Sequence, residues 1–460
     1  MTAQPTAAPA PTPTAASATF LPGSEVAGVD VSGLTLEQGA ALIREKLSAL
    51  EQTLTVTLGD EQLALAPSDI ALALPIDAML AEATAQTSAG AAAQVPLRLR
   101  YDVAAVRSRL NEAAQQLGAL GTTRLVSSTD TISRSFVAEG GQTLDVDQAL
   151  AQIDEALRGT SRQVALALND GAARVPREQL QQALEALAGE WDGVVGLYLY
   201  DAASGDTITI NPDTVFSGAS VLKVPIMLHA YAQLPQFSDT QQRWMQEMIV
   251  DSNNHSANAL LSATKGSTPG DTEAALAAVR QMTEELKSLG LEHTYQSLPY
   301  ESGDYLIKVR GMKIPKGPAQ EGKSPFTEAD PYVRTTPAEM GRLFVLLGQC
   351  AQGAGDLLQR YGESLTPVRC QEMLDWLTRN DDTTRMVAGL PAGTKVAHKS
   401  GWVEDMQADA GLVSSPGGDY VLTIYLYQKQ RNSYLSDEEA TPWLAAFSRL
   451  VYSAYNPGKG

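Results

Sequence analysis

Apolar and polar positions along the chain alternate in two rhythms, and these mark a succession of short strands and helices. Residues 1–22, rich in Pro, Thr and Ala, carry no apolar rhythm and are expected to form a disordered or extended linker. Residues 26–31 read as a short strand closing on Ser32-Gly33. Thr35 then caps a helix over 37–50 that places Ala40, Leu42, Ile43 and Leu47 on one side. Residues 53–58 alternate as a strand, Gly59-Asp60 turns the chain, and 62–66 return. A helix follows over 76–87, a strand-like run over 95–103 and a helix over 103–117. A strand at 132–138, a helix at 146–157 and a strand at 164–168 complete the pattern. These small units predict an α+β domain over residues 23–174, with no site-like polar cluster.

Past Val175-Pro176 the pattern lengthens. Leu180, Leu184 and Leu187 mark the buried face of a helix, and 193–200 and 207–210 pair across a turn. Residues 216–225 place Ser220 and Lys223 three apart at the start of an apolar helix, hence on one face. Helices are expected over 337–350 and 367–378, and an edge strand over 396–402. A sheet with a helical lobe beside it is predicted for residues 175–460, so the whole reads as multidomain α+β.

Composition narrows the functions. In 460 residues, 44% are apolar, which supports several globular cores. A net charge of −19 argues against nucleic acid or an anionic membrane as a partner, because both need basic patches. The four histidines are scattered and the cysteines number two, so neither a zinc site nor another cofactor is expected. No apolar run of about 18 residues spans a membrane. The Pro/Thr/Ala tract is typical of a stalk, so an exported, surface-associated protein whose anchor lies upstream is expected.

The candidate chemistry begins at Ser220. A serine hydroxyl is a weak nucleophile until a neighbour takes its proton, and Lys223 can do so if burial or nearby charge lowers its pKa. Two later motifs strengthen this reading: Ser252-Asn253-Asn254 and Lys399-Ser400-Gly401. The ordered trio resembles the signature of class A β-lactamases and penicillin-binding proteins. Thr335-Thr336-Pro337-Ala338-Glu339-Met340, Glu372-Met373-Leu374-Asp375-Trp376-Leu377 and Leu390-Pro391-Ala392-Gly393 are also similar to class A segments. The resemblance covers residues 180–455 and implies a β-lactamase/transpeptidase-like fold.

It also implies roles. Ser220 would be acylated and Lys223 would accept its proton. Ser252 would pass a proton to the leaving nitrogen, while Lys399 steadies that hydroxyl. Asn254 would hold Lys223 and the substrate amide. Ser400 and Gly401 would meet the substrate, Ser400 through its carboxylate. The N–H groups of Ser220 and Trp402 would form the oxyanion hole. Other readings stay open: Ser252 and Asn254 as helix caps, and Lys399 as a solubility lysine on an edge strand. His255 and His398 read as surface or packing residues.

The departures are specific. Ser252 follows Ser220 by only 32 positions, so part of the helical lobe is expected to be missing. The middle residue Asn253 replaces the usual Asp. The family's Glu-x-x-x-Asn omega loop is absent; Glu301 is the candidate deacylating base and Glu328 the alternative. A Lys/Gly/Pro-rich insertion at 308–323 is expected to hang over the cleft mouth. No arginine closely follows Gly401, which leaves an auxiliary carboxylate clamp unsupported.

Cys350 and Cys370 fall at the near ends of adjacent helices, where a disulfide is plausible; two buried thiols are the alternative. Ahead of this domain, Gly28-Val29-Asp30-Val31-Ser32-Gly33-Leu34-Thr35 and Glu139-Gly140-Gly141-Gln142-Thr143-Leu144-Asp145-Val146 resemble a peptidoglycan-binding domain of Gram-positive cell-wall enzymes. The resemblance implies wall contact, against the alternative of a spacer. The expected function is serine acyl-enzyme hydrolysis of β-lactams. The alternatives are a D,D-peptidase or transpeptidase on peptidoglycan stem peptides, a non-catalytic wall-binding protein, and a membrane-tethered scaffold. The oligomeric state is not legible.

Overall fold

The structure is a computed structural model that describes residues 19–118, 122–128, 131–170, 174–429 and 434–458. The chain forms two compact units. One comprises residues 1–120 with 141–170, the other residues 121–140 with 171–460.

In the first unit Thr35 caps the helix Leu36–Leu47 through a reciprocal bond with Gln38. The hairpin Leu54–Leu58/Glu61–Leu65 takes Gln163–Leu166 as a parallel third strand. The helices Val103–Gly118 and Val146–Arg158 bury Val106, Leu110, Ile153 and Leu157 in one core with Leu54, Val56 and Leu58. A smaller core gathers Val26, Val31, Ile43 and Met79.

Three expectations change here. Phe20 is buried in that smaller core and Thr19 bridges to Thr35, so the end of the expected linker belongs to the unit. Residues 1–18 of that linker lie outside the described residues. The run 95–103 yields only the strand Gln94–Val95 and an isolated bridge at Arg100, because Pro96 has no N–H to give a ladder. The strand expected at 132–138 is the second arm of a hairpin, Thr122–Ser127/Arg134–Glu139, and it belongs to the second unit. Its Phe136 is buried there and donates its backbone N–H to Ser453 Oγ at 2.8 Å. Period-2 alternation shows which residues of a hairpin face inward, not which core receives them.

The second unit is built on a five-stranded antiparallel sheet. Its order is Thr207–Ile210, Val194–Asp201, Tyr420–Tyr427, Met406–Ser414, Lys395–Val403. All eight residues of Tyr420–Tyr427 are buried, as a central strand covered on both faces requires. Tyr420, Leu422, Ile424 and Leu426 face the helices Arg177–Ala188 and Asp437–Tyr455, packing with Leu184, Leu187, Leu444 and Phe447. Val421, Tyr425 and Tyr427 face the helix Pro337–Ala351 through the core that holds Leu343, Phe344 and Leu347. A disulfide, Cys350–Cys370, ties that helix to Pro367–Leu377.

A helical lobe completes this unit. Asp239–Ile249, Asn254–Ala263 and Thr272–Ser288 surround Lys223–Gln233, in which every residue from Lys223 to Ala232 is buried. The insertion does not hang free. Its Met312 and Ile314 pack against Leu276, Leu298 and Leu306, the last in the short π-helical turn Asp304–Val309. Glu321 accepts from Arg334 Nη1 at 2.8 Å and from the Tyr295 hydroxyl at 2.9 Å. Lys323 pairs with Asp213 at 2.6 Å. Its Lys/Gly/Pro content signals a loop, but two spaced apolar residues and one glutamate pin it to the body.

Candidate active site

The site starts at the short strand Phe216–Ser217, which enters a 3-10 turn, Ala219–Leu222, before the helix Lys223–Gln233. Ser220 and Lys223 therefore stand one turn apart. Lys223 Nζ is 2.7 Å from Ser220 Oγ, 2.7 Å from Ser252 O, 3.1 Å from Ser252 Oγ and 2.7 Å from Asn254 Oδ1. The side chain is fully buried, and its amine lies 4.8 Å from the centre of the Tyr300 ring. Burial, reinforced by the charge of Lys399, brings the amine down to about 7, with Glu301 pulling the other way. A neutral amine beside a hydroxyl at hydrogen-bond distance can accept its proton.

Ser252 lies between the helices Asp239–Ile249 and Asn254–Ala263. The cap of the second helix is neither Ser252 nor Asn254 but Asn253, whose side chain accepts from Ser256 N at 3.0 Å. That arrangement leaves the flanking Ser252 and Asn254 side chains free to point at Lys223. Asn254 extends the chain of bonds by donating from Nδ2 to Glu301 Oε1 at 2.7 Å. Ala219, Ser252 and Glu301 are non-glycine residues with φ of 44°, 58° and 56°. Each such left-handed residue costs on the order of 1–3 kcal/mol, and these three surround one lysine or flank its partner.

Lys399 is fully buried on the edge strand, which removes the solubility reading. Its Nζ lies 3.3 Å from Ser400 O. Burial lowers it to about 8, against the opposing charges of Asp409, Asp382 and Asp381. A methyl group placed on Gly401 would meet the backbone nitrogens of Ser220 and Val221 at 2.8 and 2.9 Å. Glycine is what lets this strand lie against the turn of the nucleophile. Trp402 is partly exposed.

Glu301 is brought to the site and Glu328 is not. The Glu301 side chain is 59% exposed, with His255 3.9 Å from its second oxygen. Glu328 pairs with Lys429 at 2.7 Å. A cavity of about 520 Å³, lined in part by Trp244, Tyr300 and Tyr305, opens beside Glu301. His398 is buried against Asp409 at 2.9 Å, a packing residue, and His255 is exposed at the surface.

Four residues escaped sequence reasoning. The Tyr300 hydroxyl donates to Ala219 O at 2.7 Å. Asn258 clamps the Tyr300 backbone, accepting its N–H at 3.0 Å and donating to its carbonyl at 2.8 Å. Asp382 accepts the Thr384 N–H at 3.0 Å and also accepts from Arg385 Nη1. Arg385 stacks 4.7 Å from the centre of the Trp402 ring. Arg385 reaches this strand from upstream in sequence and is held by Gln407 Oε1 at 2.9 Å and Asp437 Oδ1 at 2.8 Å. Asn258 lies four residues after Asn254, a usable helical signal, but nothing local marks Tyr300, Asp382 or Arg385.

Comparison with known proteins places the second unit. The model of the β-lactamase enzyme family matches residues 179–242 and 240–455. No curated protein matches the chain. Among solved structures, a point mutant of PBP-A, as its acyl-enzyme complex with penicillin G, is 21% identical. The match covers 62% of this chain and 98% of that one, with a TM-score of 0.44. PBP-A itself gives 21%, 62%, 98% and 0.43. An ancestral class A β-lactamase, GNCA (the last common ancestor of Gram-negative bacteria), is 23% identical over 60% of this chain and 100% of that one, with a TM-score of 0.44.

Proposed function

Because the chain belongs to the β-lactamase enzyme family, we propose that it is a serine hydrolase that forms an acyl-enzyme on Ser220 with β-lactams. The observation that carries this reading is the set of four contacts made by the buried Lys223 amine. Ser220 Oγ loses its proton to neutral Lys223 and attacks the lactam carbonyl carbon. The resulting oxyanion is held by the N–H groups of Ser220 and Trp402. Lys223 returns the proton through Ser252 Oγ to the ring nitrogen as the C–N bond breaks. Lys399 supplies positive potential, and Asn254 and Gly401 border the substrate. Glu301 then takes a proton from the water that cleaves the ester.

A second reading is a penicillin-binding D,D-peptidase or transpeptidase with slow deacylation. It is favoured by the loop itself: its residue against Lys223 is Tyr300, whose phenol burial raises far above its ordinary pKa, so it cannot serve as a base. The candidate base Glu301 remains mostly exposed.

Labelling with a fluorescent penicillin tests the acyl-enzyme: wild type should be labelled and Ser220→Ala should not. An unlabelled wild type would leave a non-catalytic wall-binding protein. Turnover of a chromogenic cephalosporin separates the first two readings. Glu301→Gln is expected to slow deacylation by about 10²–10⁴-fold with acylation changed far less; equal deacylation removes Glu301 from the mechanism.

We also propose export, which the Cys350–Cys370 disulfide supports, and wall contact by the first unit. Co-sedimentation of the full chain with purified peptidoglycan tests the latter, and a chain that stays in the supernatant contradicts it.

A further inference from the structure

The cavity beside Glu301 has a chemistry of its own. It measures about 520 Å³, and its aromatic walls are Trp244, Tyr300 and Tyr305. Tyr300 also belongs to the site. Its hydroxyl donates to Ala219 O at 2.7 Å, one residue before Ser220, and its ring centre lies 4.8 Å from the Lys223 amine. The cavity and the turn of the nucleophile thus share one residue as a wall.

Two carboxylates line the cavity. Glu301 Oε1 accepts from Asn254 Nδ2 at 2.7 Å, while Oε2 has no hydrogen bond among the described residues and lies 3.9 Å from His255 Nε2. Asp271 caps the helix Thr272–Ser288 by accepting the Ala274 N–H at 3.0 Å, so the helix end that would attract an anion is already closed. Among the described residues no lysine or arginine lines the cavity, and the His255 side chain is 85% exposed. This environment disfavours an anion and suits a cation. Aromatic faces attract an ammonium through their quadrupoles, and a carboxylate oxygen without a partner accepts its N–H. We propose that the cavity is a specificity subsite for a primary ammonium carried on the side chain of the acyl donor, with Trp244 and Tyr305 as its aromatic walls and Glu301 as counter-ion. The inference rests on the acyl-enzyme reading of Ser220. Glu301 acts here through its charge while Ser220 is acylated, a stage before the water attack in which it serves as base.

The test measures second-order acylation of the full chain, by intact mass, with two penicillins. Their acyl side chains are equally long and end in a primary ammonium or in a methyl group. Wild type should react about tenfold faster with the ammonium compound, the effect of a partly desolvated cation–π contact. Tyr305→Ala, at a partly exposed position, should bring that ratio towards one, and so should Trp244→Ala. Either variant decides if the other fails to fold. Both keep the net charge of −19, so a preference that survives them is long-range attraction and overturns the subsite. Equal wild-type rates overturn it too. Added butylammonium should slow the ammonium compound towards the rate of the methyl one; if it instead accelerates both, the cavity serves a free amine and the inference fails. No acylation by either compound overturns the Ser220 reading and the inference with it.

Discussion

Lys223 is asked to be neutral where it is buried and still to receive a proton. Its value of about 7 against 10.5 in water means that the unfolded chain binds the extra proton between those values. Folding stability should therefore rise with pH across that window. Lys223→Met should raise Tm more at pH 6 than at pH 10, as differential scanning fluorimetry would show; an equal gain at both pH values contradicts the depressed amine. Acylation should climb through about pH 7 as Lys223 loses its proton and decline above about pH 8 as Lys399 loses its own. Lys399→Arg, which keeps its charge, should abolish the upper limb while lowering the maximal rate. A retained decline above pH 8 would assign that limb to another group. The Ser220, Lys223, Ser252 and Asn254 cluster was legible because short motifs name their residues outright. Tyr300 was not, because its contacts with Lys223 and with Ala219 O join segments far apart in sequence.

The same division runs through the elements. The helix Pro337–Ala351 and the edge strand Lys395–Val403 could be placed from periodicity and from the apolar run before Lys399. The role of Gly401 could not, because it depends on another backbone passing within 3 Å of where a Cβ would sit. Gly401→Ala should push the strand from the nucleophile turn and lower the acylation rate by about 10²-fold; wild-type rates in that variant would show that the strand can give way freely. The pinned insertion marks the opposite failure, in which composition signals a loop and a few contacts override it, whereas at 95–103 the pattern signals a strand and Pro96 interrupts it. The Cys350–Cys370 bond closes a loop between two helices of the catalytic unit. Replacing both cysteines with Ala should lower stability by about 2–4 kcal/mol in urea unfolding, and no loss would mean that the surrounding helix packing suffices.

At the scale of the whole molecule, each unit has its own cores. Ile43 and Ile153 belong to the first unit, and Phe344 and Phe447 to the second. The order of small α+β units followed by a sheet with a helical lobe was legible from alternation. The membership of the hairpin Thr122–Ser127/Arg134–Glu139 was not, because sequence neighbours need not share a core. Two units with their own cores predict two calorimetric transitions, of which penicillin shifts only one; a single transition moved as a whole would contradict this. The central claim concerns the amine at Ser220, and the most direct measurement is the acylation rate of Lys223→Met against wild type, read by intact mass with one β-lactam at pH 7.5. The account predicts a fall of about 10³-fold or more with Ser220 still present, and a variant that acylates at the wild-type rate would contradict it.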